Sequence, residues 1–87
     1  MNKYRVLLQT TNRLYAVAAA NDISQLGPLM QRWFLQTSAG RSVYDDQVQA
    51  VMLYVYDPMT NSYQKRNSLP ATSKQSAVNS VAGFVGM

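Results

Sequence analysis

The 87-residue chain contains no cysteine, no histidine and no glutamate. Each absence closes off a kind of chemistry. Without cysteine there is no disulfide framework, thiolate metal site or thiol nucleophile. Without histidine and glutamate the usual general bases are missing, and neither a Ser-His-Asp nor a Cys-His arrangement can be built. A zinc site lacks its common ligands for the same reason. Acid is scarce, because Asp22, Asp45, Asp46 and Asp57 are the only carboxylate side chains. Asp22 and Asp57 sit where a helix cap and a turn need them. The adjacent Asp45-Asp46 pair reads as a solvated turn, since calcium wants about six or more oxygens. Gly27, Gly40, Gly83 and Gly86 form no Walker or Rossmann pattern. The expectation is a protein with no catalytic residues, no cofactor and no metal.

Long hydrophobic runs are also missing. Even a run such as Ala50 to Tyr56 falls far short of the roughly 20 residues a spanning helix needs. Lys3 and Arg5 are followed by only Val6, Leu7 and Leu8, which is not a signal peptide. No Asn-x-Ser/Thr acceptor is present. The expectation is a cytoplasmic protein with no membrane segment, in the host cell's cytoplasm if it is phage-encoded.

What is present supports a folded chain. Leu, Ile, Val and Phe make up 20 of the 87 residues, above the level at which charged chains tend to be disordered. Eight Lys and Arg against four Asp give a formal charge of +4. That balance suits an acidic partner, and it also serves solubility.

Residues 4 to 8 and 13 to 19 read as strands. Thr10-Thr11-Asn12 lies between them as a three-residue loop, with Asn12 suited to a left-handed conformation. That register sets Leu8 opposite Leu14 and Leu7 opposite Tyr15. One face then carries Tyr4, Val6, Leu8, Leu14, Ala16 and Ala18. The other carries Lys3, Arg5, Leu7, Gln9, Arg13, Tyr15 and Val17. A two-residue loop would shift the second strand by one and mix the sets, so the separated register is preferred.

Asp22, with Gln25 three residues on, has the pattern of a capping box. Ile23, Leu26, Leu29, Met30, Trp33 and Phe34 then cluster within about 140° on a helix surface. Pro28 suits a first turn, and Gly40 suits a stop. Leu35 falls on the far side. After a polar connection, Val48 to Tyr56 reads as a central strand, apolar on both faces. Asp57-Pro58-Met59-Thr60-Asn61 is a turn signal with Asn61 at a left-handed position. Ser62 to Arg66 returns as an edge strand whose charges discourage unwanted pairing.

The expected fold is therefore α+β, in the order ββαββ. It has a four-stranded antiparallel sheet of order 2-1-3-4 and one helix packed on one face. Residues 1–66 form the domain. Residues 67–87 form a C-terminal tail, a linker plus a possible short docking helix capped by Thr72 and Gln75, with Val78, Val81 and Val85 as its stripe. Val, Asn, Ser and Gly are poor helix formers, so that helix needs a docking surface.

The tyrosines form the informative constellation. Met52, Tyr54 and Tyr56 alternate with Val51, Leu53 and Val55 on the third strand. Pairing Tyr56 with Tyr63 sets Tyr63 and Lys65 beside them. With Lys3, Arg5, Arg13 and Tyr15 this makes an open sheet face of four tyrosines and four cations. The candidate partner-binding residues are Arg5, Arg13, Tyr15, Tyr54, Tyr56, Tyr63 and Lys65. A protein partner with an acidic surface, or a homodimer, fits the enrichment of Tyr, Met and Arg at interfaces. A single-stranded nucleic acid fits stacking on aromatics with cations on phosphates, but no Lys/Arg-Gly-Phe-like run is present. A structural account also competes, in which the C-terminal segment covers this face. Small size, no catalytic inventory and a compact α+β plan are similar in general style to accessory proteins of phages and mobile elements, including inhibitors of host defence complexes. No motif carries that likeness. The leading expectation is a non-catalytic binding protein that blocks its partner sterically. The alternatives are a nucleic-acid binder and a structural or assembly subunit.

Overall fold

In the computed structural model the described residues are 2–86. Four strands form one antiparallel sheet: β1 (Tyr4–Thr10), β2 (Leu14–Ala20), β3 (Val48–Asp57) and β4 (Ser62–Pro70). Their order across the sheet is β2-β1-β3-β4, as expected. The helices are α1 (Leu26–Gln36), α2 (Ser38–Arg41) and α3 (Lys74–Gly83). Short 3₁₀ turns at Ile23–Gln25, Asp45–Gln47 and Phe84–Gly86 complete the order. Among the described residues, no helix is long and apolar enough to cross a membrane.

The core lies on one side of the sheet. Val6, Leu8, Val51 and Leu53 project from β1 and β3 into it. Leu26, Met30 and Phe34 of α1 and Ala77 and Val81 of α3, with Phe84 just beyond it, meet them. The amphipathic stripe read for α1 is thus its packed face, and Leu35 is 65% exposed. The Asp22 carboxylate does cap the helical segment, but through the backbone N–H and hydroxyl of Ser24, at 3.0 and 2.8 Å. It starts the 3₁₀ turn, and α1 follows with Pro28 inside its first turn, where a missing N–H costs nothing.

Gly40 does not end the main helix: α1 stops at Gln36, and Gly40 lies within α2. A Cβ there would lie 2.1 Å from the Trp33 carbonyl oxygen and 2.7 Å from the Phe34 Cα. Only glycine allows α2 to fold back so tightly on the end of α1. Thr37 joins the two helices: its hydroxyl donates to the Trp33 carbonyl and accepts from the Gly40 N–H at 2.9 Å.

The C-terminal segment departs from a linker. β4 runs four residues beyond Arg66, and a bulge at Arg66 shifts its pairing so that Asn67 faces Leu53. The cap of α3 is Ser73 with Ser76, one residue later than the Thr72–Gln75 reading. The Ser73 hydroxyl accepts from the Ser76 N–H, and the Ser76 hydroxyl accepts from the Ser73 N–H. The Asp45 carboxylate accepts from the Lys74 N–H at 2.9 Å, giving that aspartate a structural task. The buried residues are Ala77, Val81 and Phe84, whereas Val85 is 52% exposed. Docking beside α1 supplies the stability that composition denies this helix.

The β1–β2 register differs from the expected one. The loop is the two-residue Thr11-Asn12, closed by the Thr10 N–H on the Arg13 carbonyl at 2.9 Å. Leu8 therefore faces Tyr15, and Leu7 faces Ala16. Asn12 does not adopt the left-handed conformation; among the described non-glycine residues only Asn61 does, with φ 53°. The buried Thr10 hydroxyl holds the turn instead, donating to the Arg13 carbonyl and accepting from the Asn12 and Arg13 N–H groups. The shift turns Tyr15 and Val17 to the core side and leaves Leu14 47% exposed. Burying Tyr15 and Val17 removes more apolar area from water than burying Leu14 and Ala16. Trp33 also gives Tyr15 a ring partner at 5.2 Å. A bulge at Val17 then restores Ala18 and Ala20 to the core side, opposite Val6 and Tyr4.

Candidate binding face

Because α1 and α3 both pack on the Val51–Leu53 side, the opposite side of the sheet is left uncovered by them. Alternation along each strand decides what it displays. From β3 it displays Met52, Tyr54 and Tyr56, all half-buried. Tyr63 and Lys65 of β4 stand beside them, since Tyr56 pairs with Tyr63 and Tyr54 with Lys65. Arg5 of β1 pairs with Tyr54 on its other side. Leu7 follows on β1, and Leu14 and Ala16 of β2 extend the face toward the far edge.

Arg5, Tyr54, Tyr56, Tyr63 and Lys65 therefore converge as read from the sequence. Arg13 and Tyr15 do not join them. Tyr15 lies on the helix side against Trp33. The Arg13 guanidinium accompanies it, 5.7 Å from the Tyr15 ring centre. Lys3 folds back over the Tyr4 ring at 5.2 Å and away from the cluster.

The converging residues are mutually braced. The Arg5 guanidinium lies 4.1 Å from the centre of the Tyr63 ring, a cation–π distance. Tyr63 meets Tyr56 edge to face, with ring centres 5.6 Å apart. To reach Arg5, the Tyr63 side chain crosses β3, and its hydroxyl donates to the Asn2 carbonyl. The Tyr56 hydroxyl donates to the Asn61 side-chain oxygen, so the left-handed turn residue also positions a tyrosine. These contacts restrict rotamers before any partner arrives, which lowers the entropy lost on binding. Tyr54 has no ring or hydrogen-bond partner among the described residues, which leaves its hydroxyl available. A groove of about 430 Å³ adjoins the cluster at the hairpin end, lined in part by Tyr56, Pro58, Lys65 and Arg66.

The face is electrostatically one-sided. Of the four aspartates, Asp22 and Asp45 serve helix starts, and Asp46 sits in the turn before β3. Asp57 accepts from the Met59 N–H in the β3–β4 turn. None pairs across the strands with the tyrosines, where Arg5 and Lys65 are exposed, but Asp57 shares the lining of the hairpin-end groove with Tyr56, Lys65 and Arg66. Sequence reasoning missed Leu14 and Ala16 as members of this surface. The two-residue alternative for the first loop is the signal that finds them.

Comparisons with protein-family models, curated proteins and solved structures found no match to this chain. The class defined by fold and surface is a small α+β protein with one helix-covered sheet face and one open, aromatic and basic sheet face.

Proposed function

We propose that this chain is a non-catalytic binding protein that uses its open sheet face to occupy an acidic surface of a protein partner. The observation that carries this is the braced Arg5–Tyr63–Tyr56 cluster on a face the helices leave uncovered, with Tyr54 and Lys65 beside it. Tyrosine offers large contact area with few rotatable bonds, and half-buried rings flanked by cations have the composition of interface anchors. Arg5 and Lys65 steer encounter with negative potential. The action is steric, as in small inhibitors that cover a working surface of a larger complex.

Replacing Tyr54 and Tyr56 together with Ala should abolish partner capture from a native host lysate while circular dichroism stays that of the parent. Unchanged capture by the double variant removes this face from the function.

A second reading is a single-stranded nucleic-acid platform, favoured by the same adjacency of aromatic rings and cations on a sheet. Against it, the Arg5 guanidinium already occupies one face of Tyr63. Titration of a labelled oligonucleotide at two salt concentrations separates the two. Binding that weakens steeply with salt supports nucleic acid, and absence of binding at low salt eliminates it.

A further inference from the structure

The two edges of the sheet are guarded very differently. β4 carries Lys65 and Arg66, a bulge at Arg66, and Pro70 at its end. These are the devices by which a sheet edge resists pairing with another chain. β2 is the other edge and pairs only with β1. Its seven residues, Leu14–Ala20, include no charge and no proline. Its one irregularity is the bulge at Val17, on the side that pairs with β1. A row of main-chain donors and acceptors is thus presented along an uncharged strand.

There is room beside that row. On the helix side a groove of about 270 Å³ lies between Val17–Ala19 and the Leu29, Arg32 and Trp33 side chains of α1. On the open side a hollow of about 520 Å³ is lined by Arg5 and Ala16–Ala19. A strand laid along β2 would point its side chains alternately into these two spaces.

We propose that the occupant is β2 of a second copy of this chain, paired antiparallel across a two-fold axis. Charge complementarity selects it. Arg13 stands immediately before β2 and Asp22 two residues after it, both exposed. Antiparallel self-pairing brings the start of one β2 to the end of the other. With Val17 beside Val17, Arg13 of each copy faces Asn21 of the other, one residue from its Asp22. The contact then has two opposite-charge pairs, one at each end, and no charge within the paired strands themselves, while Arg5 and Arg32 flank them from the neighbouring strand and helix. A parallel arrangement would instead set Arg13 against Arg13. An antiparallel pair of this kind has its two-fold axis perpendicular to the sheet. The result is one eight-stranded sheet with all the long helices on one side and both tyrosine faces on the other. A doubled binding face raises avidity for a repetitive or two-fold partner.

Sedimentation of the full chain and its variants tests this. The parent should sediment as a dimer. Ala16→Lys, an exposed position on the edge, should weaken self-association by about tenfold or more with an unchanged circular dichroism spectrum. Arg13→Asp and Asp22→Arg should each be monomeric alone, because each sets like charges at both ends. Mixed together they should form a heterodimer. At one end the aspartate introduced in the first variant meets the arginine introduced in the second. At the other end the unchanged Asp22 of the first meets the unchanged Arg13 of the second. Recovery on mixing cannot arise from misfolding. A parent that is monomeric at every concentration overturns the proposal. So does a dimer that Ala16→Lys leaves intact, or a mixture that remains monomeric.

Discussion

The same four strands make two unlike surfaces. On the helix side of β3, Val51 and Leu53 are 0% and 2% exposed, sealed under Met30, Val81 and their neighbours. One residue along, on the other side, Met52 and Tyr54 are half-buried with no helix over them. The first surface is aliphatic and closely covered, so a lost side chain there leaves a cavity. The second is built of rings and cations whose contacts reach outward, so a lost side chain there changes what the surface can hold. Alternate positions on one strand thus separate stability from binding, and substitutions on the two faces should have separable consequences.

The sharpest contrast is at Phe84, fully buried in the core where its turn meets α3 and the Ile23–Gln25 turn. Phe84→Ala should cost roughly 3–5 kcal/mol in denaturant unfolding, a large share of a small protein's stability. The Tyr54/Tyr56 double variant should lose capture yet unfold close to the parent. A Phe84→Ala loss no larger than that of the double variant would break the division between the faces.

A smaller effect tests which side of β2 belongs to which face. Tyr15→Ala removes the ring that meets Trp33 and should cost about 1–3 kcal/mol. Leu14→Ser, at a position 47% exposed, should change stability by no more than about 0.5 kcal/mol. If Leu14→Ser proves the costlier, the three-residue loop is the true one.

The smallest effect is at Asp22, outside both faces. The Ser24 backbone N–H, and then its hydroxyl, hold the Asp22 carboxyl below its ordinary value of 3.8. The folded chain therefore binds this proton less readily than the unfolded chain. The stabilisation is complete above the ordinary value and is lost as pH falls through the lower folded value. Asp22→Asn keeps the cap and removes the titration, so its unfolding midpoint should fall less than the parent's on acidification. Parallel curves would show that this cap does not report on pH.

Periodicity made most of the fold legible. Alternation in Val48–Tyr56 placed the aliphatic and tyrosine faces correctly, because every second residue of a strand must share a side. Pro58 and Asn61 placed the Tyr56–Tyr63 pair, because few residues adopt a left-handed turn conformation. The 3.6-residue period gave the packed face of α1. The tyrosines and lysine of β3 and β4 and the arginine of β1 therefore met as expected, while Arg13 and Tyr15 went elsewhere. Their side depended on whether the first loop held two residues or three, and the Thr10 hydroxyl that settles the matter acts without a distinctive motif. In the C-terminal segment the capping pattern pointed to a short helix that weak helix formers left marginal, and docking of Ala77, Val81 and Phe84 stabilises it more than local propensity does.

By itself the sequence determined which side chains the chain lacks, where its strands and main helix lie, their order in the sheet, and the sides of β3. These follow from residue type and from periods that operate within a few residues. Tertiary structure alone decided the side to which β2 turns Tyr15, the docking of α3 beside α1, the extension of β4 to Pro70, and the crossing of Tyr63 over β3 to Arg5. Each depends on the area and partners offered by residues distant in the chain, and Trp33 competes for Tyr15 only once α1 has folded onto the sheet.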